Sequence, residues 1–461
     1  MGCFSGTART TLVNKLQRRA ATAALPRPRA PQPATLSTRA DFATPQFRPT
    51  QCIQDRRAGC GEQSRTTASI RRHNRTRAPP AHHHRRSIVT DANADAPAPA
   101  DSPRTPLSCA DGARLAAAIK GWGAELGFQQ VGIADCDLSL AEARLGAWLG
   151  QDMHGDMHWL ARHGSKRTRP AELVPGTLRV ISARMDYLPE YQVNIERVLG
   201  DPAQAFVSRY ALGRDYHKVL RQRLKRLAQR IEARVGAFGY RVFVDSAPVM
   251  EKPLAQKAGL GWIGKHTNVI NPQAGSWFFL GEIYCDLPLP VDPPAEDHCG
   301  RCKACIDICP TDAIVAPYVL DARLCISYLT IEHPGPIPEP LRGRMGNHIY
   351  GCDDCQLACP WNRFAHLTEE ADFLPREGLD TPTLLALFAW DEDEFLARTA
   401  GSAIRRIGHE RWLRNIAVAL GNAEPSAAVR EALTARADHP SLLVREHARW
   451  ALSAQGAGAA A

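Results

Sequence analysis

Two short cysteine runs carry the clearest chemistry in this chain. "CGRCKACIDICP" (299–310) places Cys299, Cys302, Cys305 and Cys309 at C-x2-C-x2-C-x3-C spacing, with Pro310 after the last. "CDDCQLACP" (352–360) holds Cys352, Cys355 and Cys359, again closed by a proline. Three thiolates at x2 spacing converge on one small cluster, while the wider x3 gap turns the fourth towards a second cluster. The second run lacks one x2 step, and Cys325, between the runs, makes up the count. Eight thiolates match two 4Fe–4S clusters, one on Cys299, Cys302, Cys305 and Cys359 and one on Cys309, Cys325, Cys352 and Cys355. Structural zinc is the alternative, but zinc sites usually present paired C-x2-C knuckles. Disulfides fit least: eight of the fourteen cysteines lie between 299 and 359 at short gaps, which suits metal ligation in a reducing compartment.

Two such clusters form an electron wire, and a plain carrier would need nothing else. This chain has much more. "RLAAAIKGWGAELGF" (114–128) and "RDYHKVLRQRLKRLAQRIEARV" (214–235) read as helices, the second with Leu220, Leu224, Leu227, Ile231 and Val235 on one face. "QQVGIAD" (129–135), "LRVISARMDY" (178–187), "YRVFVDSAPV" (240–249) and "GSWFFLGEIYCDL" (275–287) read as strands. Alternating helices and strands predict an α/β domain over 107–290, followed by the two-cluster segment at 291–362. An electron wire joined to a large domain implies a second redox centre that receives the electrons. Asp245 falls at the end of a predicted strand, where ligand-facing groups gather in open sheets; a turn or cap aspartate is the alternative. Gly259, Gly261 and Gly264 spell G-x-G-x-x-G, but not directly after a strand, so a dinucleotide site is not expected.

Beyond Pro360, "ERWLRNIAVALGN" (410–422), "AAVREALTARA" (427–437) and "SLLVREHARWALS" (441–453) read as short helices with a recurring Arg-x-x-Ala and Ala-Leu pattern. That recurrence is similar to HEAT-type repeats over 363–455. Residues 1–106 are rich in Arg, Pro, Ala and Thr without apolar periodicity, and predict a disordered tail or a miscalled start, with Val89 or Leu107 as the true first residue. Arg18-Arg19 is not followed by an apolar stretch, so no twin-arginine export signal is expected; the composition loosely mimics a transit peptide. Of 57 Lys+Arg and 48 Asp+Glu, the tail holds 18 and 6, leaving 39 against 42 in the body. The basic excess therefore belongs to the tail, and any contact with a polyanion rests on local patches. No apolar run is long enough for a membrane-spanning helix.

Taken together, "HGDMHWLARHG" (154–164), "KRTRPAELVPGTLRVIS" (166–182), "RYALGRDYHKVL" (209–220), "VDSAPVMEK" (244–252), "AGLGWIGKHT" (258–267), "GSWFFLGEI" (275–283), the cysteine runs and "CISYLTIEHPGPIP" (325–338) resemble the epoxyqueuosine reductases over about 110–455. The resemblance implies an α/β cobalamin-binding domain, a bacterial-ferredoxin-like two-cluster domain and α-helical HEAT-like repeats. It implies cobalamin and two 4Fe–4S clusters, tRNA carrying epoxyqueuosine at the wobble position, and removal of the epoxide oxygen as water with two electrons and two protons. Asp245 matches the family's proton donor, for which a raised pKa is expected. Cobalamin contacts map to Arg167, Asp245, Val269, Leu280, Ser327, Cys352 and Asp353. A cytoplasmic monomer with an external flavodoxin- or ferredoxin-type donor is also implied. A reductive dehalogenase shares the cofactor plan, but would normally carry an export signal and no basic repeat tail.

For the RNA, Arg405, Arg406, Arg411 and Arg414 cluster with His409, and Arg430, Arg436 and Arg445 follow on the next helices. Phosphate contact is the expectation for this cluster, because the body is acidic overall. Trp412 is expected in the core rather than stacked on a base. Arg221, Arg223, Lys225 and Arg226 on the long helix fit RNA contact or a solvated face equally. The histidines at 82–84, 154, 158 and 163 are expected to be solvent-exposed or structural.

Overall fold

The computed structural model describes residues 108–190 and 195–457. The tail and both candidate start positions lie outside them. Helix α1 (Cys109–Glu125) begins at Ser108, whose Oγ accepts from the Asp111 amide at 3.1 Å, satisfying one orphan donor of the first turn. It leads into strand β1 (Gln130–Ala134), followed by β2 (Arg179–Asp186), helix α2 (Tyr216–Val235), β3 (Tyr240–Phe243), helix α3 (Glu251–Lys257) and β4 (Phe278–Cys285). The expected elements are all present, but the sheet, in order β1-β2-β4-β3, is antiparallel throughout. Apolar periodicity reports which face of a strand is buried and is blind to the direction of its partner. The α/β alternation therefore did not carry the parallel sheet it usually signals.

Strand β2 is buried along nearly its whole length, because helices cover both faces. On one face Ile181, Ala183 and Ile283 meet α1 and α2. On the other Val180 and Tyr284 meet Leu254 and Ala255 of α3. Helix α2 is capped by Asp215, whose side chain accepts from the His217 amide, and buries Val219, Leu220, Leu224, Leu227, Ala228 and Ile231. That is one apolar stripe at helical spacing; each such leucine contributes about 2 kcal/mol. Gly281 on β4 makes the approach possible, since a Cβ there would stand 2.7 Å from Leu224 Cδ1. Alternation along β4 then turns Leu280, Glu282 and Tyr284 to the α3 face, the side on which the cleft described below opens.

The cysteine segment follows, with short helices at Ala304–Ile308, Ile326–Ile331 and Asp354–Leu357. The C-terminal end is helical: α4 (Gly408–Gly421), α5 (Ala427–Thr434) and α6 (Leu442–Ala457). Their shared core holds Trp412, Leu413, Ile416, Leu433, Val444 and Ala451. Trp412 is fully buried and stacks on Trp390 at 5.6 Å, as expected.

Arg414 contradicts the expectation of phosphate contact. It is fully buried, and its guanidinium donates to the carbonyls of His333 (2.8 Å), Gly335 (2.7 Å) and Leu329 (2.7 Å) and twice to Asn415 Oδ1 (3.0 and 2.8 Å). All five N–H donors are satisfied. The residue ties α4 to the cysteine segment instead of facing RNA. Arg411 is half-buried and donates to the carbonyls of Ile407, Ile331 and Arg406. Only Arg405 and Arg406 of the four remain exposed; Arg406 pairs with Glu332 at 2.9 Å. Replacing Arg414 by Ala strands three buried carbonyls and should destabilise the protein by about 3 kcal/mol. Arg405→Ala should fall within about 0.5 kcal/mol of wild type. Denaturant unfolding of the two variants measures the difference; equal stabilities would contradict the assigned roles.

Candidate active site

A cleft of about 520 Å³ opens between the sheet domain and the cysteine segment. One wall presents Asp245, Glu251, His266, Val269 and Leu280; the other presents Cys309, Cys325, Ser327, Cys352, Asp353 and Cys355. Six of the seven expected cofactor contacts therefore line one space. Arg167 is not among the lining residues. It is buried, donating Nε to the Leu160 carbonyl (3.0 Å) and a terminal nitrogen to that of Trp159 (3.3 Å). Asp353 is buried too, and accepts from Ser208 Oγ (2.6 Å) and the Arg209 amide (2.8 Å), which fixes the loop bearing Cys352 and Cys355 against the sheet domain.

The thiols fall into two sets. Burial pushes Cys305 up to about 12, and charge on Cys359, Cys299 and Cys302 adds to it. Cys359 is pushed to about 11 by burial, with Cys299 and Cys302 again as neighbours. Cys355 is raised well above the ordinary thiol value by burial and then by Cys325, Asp354 and Cys309, with Cys305 of the first set last; Cys352 is raised by burial, Asp354, Cys355 and Cys325. The second set faces the cleft, whereas Cys302 of the first is exposed. Donors already point at sulfur: Trp262 Nε1 lies 3.5 Å from Cys299 Sγ and the Ala313 amide 3.3 Å from Cys309 Sγ.

Asp245 sits two residues beyond β3 with φ +51°, a left-handed conformation uncommon for a residue other than glycine and typical of sites where geometry is over-determined. Its backbone N–H donates to Glu251, and its carboxylate accepts from the Tyr216 hydroxyl. His217 Nε2 lies 3.2 Å from the same carboxylate while its Nδ1 lies 2.7 Å from Asp215. The expected raised pKa is overturned. Desolvation pushes the Asp245 carboxyl up, but the hydrogen bonds from His217 and Tyr216 and the His217 charge outweigh it and hold it below its ordinary value. Burial works against the His217 cation, yet its two carboxylate partners raise it to about 9. Glu251 moves the other way, pushed up to about 7 by burial and by charge on Asp245. Glu282, wholly buried beneath it, is raised further by burial and by Glu251. The protons of this site are therefore held on His217, Tyr216 and Glu282 in preference to Asp245, and Glu251 keeps its proton to higher pH than an ordinary carboxyl. Sequence reading assigned no role to Tyr216, His217, Glu251, Glu282 or His266; the Tyr-His pair directly after the Asp215 cap was the available signal.

Among family models, "Epoxyqueuosine reductase QueG, DUF1730" matches residues 167–246 and "4Fe-4S double cluster binding domain" matches 298–362. The epoxyqueuosine reductase of Pseudomonas aeruginosa is 63% identical over 351 residues, spanning 76% of this chain and 97% of that protein. The Escherichia coli K12 protein of the same name is 60% identical over 343 residues, 74% of this chain and 90% of that one. A crystal structure of epoxyqueuosine reductase with a tRNA-Tyr epoxyqueuosine-modified stem loop superposes with a TM-score of 0.69 at 27% identity, covering 74% of this chain and 90% of that one. The Streptococcus thermophilus structure gives 0.67 at 26% identity over the same shares. With relatives at this identity over nearly their full length, and a cleft joining the cysteine segment to Asp245, the chain belongs to the epoxyqueuosine reductase family.

Proposed function

We propose that this chain reduces epoxyqueuosine to queuosine at the wobble position of tRNA, with cobalamin in the cleft and two 4Fe–4S clusters beside it. The observation that carries the reading is the meeting, in one cleft, of the second set of thiols with the Asp245–His217 pair. An electron path and a proton path end at the same place, which a reaction taking up two of each requires.

The donor sets suit these groups. Buried thiols such as Cys305 and Cys359, or Cys325, Cys352 and Cys355, together with N–H donors aimed at Cys299 and Cys309, are what a cluster needs, since bound iron stabilises the thiolate that burial disfavours. In the cleft, His266 is buried, and its Nδ1 accepts from the Asn268 amide at 3.1 Å. Nε2 therefore carries the proton, and it has no partner. A buried donor of this kind suits an amide-fringed macrocycle such as a corrin, and burial and Lys252 keep the ring neutral by lowering it to about 4. The planar apolar surface would lie against Val269 and Leu280, with Ser327 and the Cys352–Asp353 loop opposite.

Bound cobalamin supplies a low-potential metal centre able to deliver electrons to the epoxide carbon. The protein's part is the oxygen, which leaves carbon poorly as an alkoxide and needs a proton at that moment. Asp245, ionised and held by two donors, passes the proton of His217 or Tyr216 to that oxygen. Both remain beside it to stabilise the charge that returns. Arg405 and Arg406 remain for RNA phosphates, Arg406 at the lip of the cleft, and the packed pair α4–α6 is read as a HEAT-like unit.

Asp245→Asn keeps the cleft's shape but breaks the proton path. It should retain corrin absorbance while single-turnover reduction falls about 10²–10⁴-fold; full turnover in this variant removes the acid role. His217, raised above its ordinary 6.5 to about 9, is charged through neutral pH, so its bridge between the two carboxylates is complete below about 6.5 and lost as pH climbs through 9. Turnover should decline through that upper window, and His217→Gln should abolish the limb; a limb unchanged in the variant assigns it elsewhere.

A further inference from the structure

If one nucleotide enters the cleft, its neighbours must lie across the rim, and part of that rim has the composition of a single-strand RNA surface. From Met157 to Ala171 the chain contains Arg162, Lys166, Arg167 and Arg169 and no acidic residue. Met157 lines the cleft. The preceding Asp156 is pinned to the cysteine segment by the Tyr328 hydroxyl at 2.6 Å and by His333 at 2.7 Å. Gly155, at φ +56°, allows that approach, because a Cβ there would stand 2.4 Å from Tyr328 Oη. The segment is therefore anchored at the edge of the site.

Trp159 is the one exposed tryptophan of the nine, at 44%. An indole exposed to that extent offers solvent a flat apolar surface with a polar N–H edge. Its position is set from below by the buried Arg167, whose guanidinium lies 5.8 Å from the ring centroid while bonded to the carbonyls of Trp159 and Leu160. Arg162 follows three residues later on the one-turn helix Trp159–Arg162, on the same side as the indole. Arg162 and Lys166 are exposed, and neither is in an ion pair among the described residues. Arg169, by contrast, is neutralised by Glu142 and Glu172. An exposed indole with one unpaired cation on the same turn and a second four residues further along the segment is the pattern that receives a base and its backbone.

We propose that Trp159, Arg162 and Lys166 clamp the anticodon nucleotides flanking the one that enters the cleft, the indole stacking on a base and the two cations holding phosphates. This rests on the tRNA reading above and gives it an RNA-facing surface that the buried Arg414 cannot supply.

The test is binding of a fluorescently labelled epoxyqueuosine anticodon stem–loop to the holoenzyme, read by anisotropy over a salt series. Trp159→Ala should weaken binding about tenfold, the value of one stacked base, and Trp159→Phe should restore most of it. Arg162→Ala with Lys166→Ala should lower the slope of log affinity against log salt by about 1.4, or about 0.7 for each single-strand phosphate that is no longer neutralised. KM for the stem–loop should rise in each weakened variant with kcat largely kept. Unchanged affinity and slope, with wild type binding normally, overturns the clamp and leaves the tRNA reading intact. Loss of corrin uptake in Trp159→Ala at unchanged stem–loop affinity also overturns it, assigning the indole to the cofactor. A wild-type enzyme that binds no stem–loop defeats both.

Discussion

Thiols gathered at close quarters cannot all ionise unless a cation neutralises them, and the fold brings cysteines from distant segments together in this way. Cys359 joins Cys299, Cys302 and Cys305 from a run more than forty residues away. Cys325 and Cys309 meet Cys352 and Cys355 in the same way. Each set is assembled only if the intervening segment folds back, so cluster and fold specify each other. The anchors that hold the arrangement are polar and buried: Asp353 on Ser208 and the Arg209 amide, and Arg414 on the carbonyls of 329–335. The first ties the second set of thiols to the sheet domain, the second ties the helical end to the same segment. Three regions of sequence thus meet where electrons and substrate must meet.

The chemistry of the cleft follows from an imbalance of charge. Asp245, Glu251 and Glu282 gather on one face of the sheet, and three carboxylates cannot all ionise at close quarters. His217 and Tyr216 settle which of them does, by donating to Asp245 and to neither of the others. Asp245 is left as the ionised member, and the two glutamates hold protons more tightly than usual. A protonated reservoir lies behind an ionised aspartate that faces the cleft, half of its side chain exposed. That order suits delivery of protons one at a time to an oxygen leaving carbon.

Much of this was legible in the sequence. Cysteine spacing is a covalent fact, and four of the thiols it singles out, Cys309, Cys325, Cys352 and Cys355, line the cleft. Apolar periodicity placed α2, because burial repeats with helical pitch, and Trp412 lies in the core as expected. Strand direction was not legible, since pleat periodicity is the same in either orientation. Arg414 departs from expectation for a different reason: it lies three residues from Arg411 among other arginines, and nothing local distinguishes a cation that faces water from one with three donors on carbonyls 79–85 residues earlier. Asp245 was found by its motif, but its protonation was misjudged. The partners that decide it, Tyr216 and His217, stand 29 and 28 residues upstream at the start of another element.

The claim on which the rest depends is that these eight cysteines hold iron in two separate sets. Metal and acid-labile sulfide analysis of anaerobically purified protein, before and after replacing Cys359 by Ser, tests it most directly. Two cubane clusters predict about eight irons and no zinc in the native chain, and loss of about half the iron in the variant, with the cleft-facing cluster keeping its signal in electron paramagnetic resonance. Zinc in place of iron, or a Cys359 variant that loses the cleft-facing cluster and keeps the other, would contradict it.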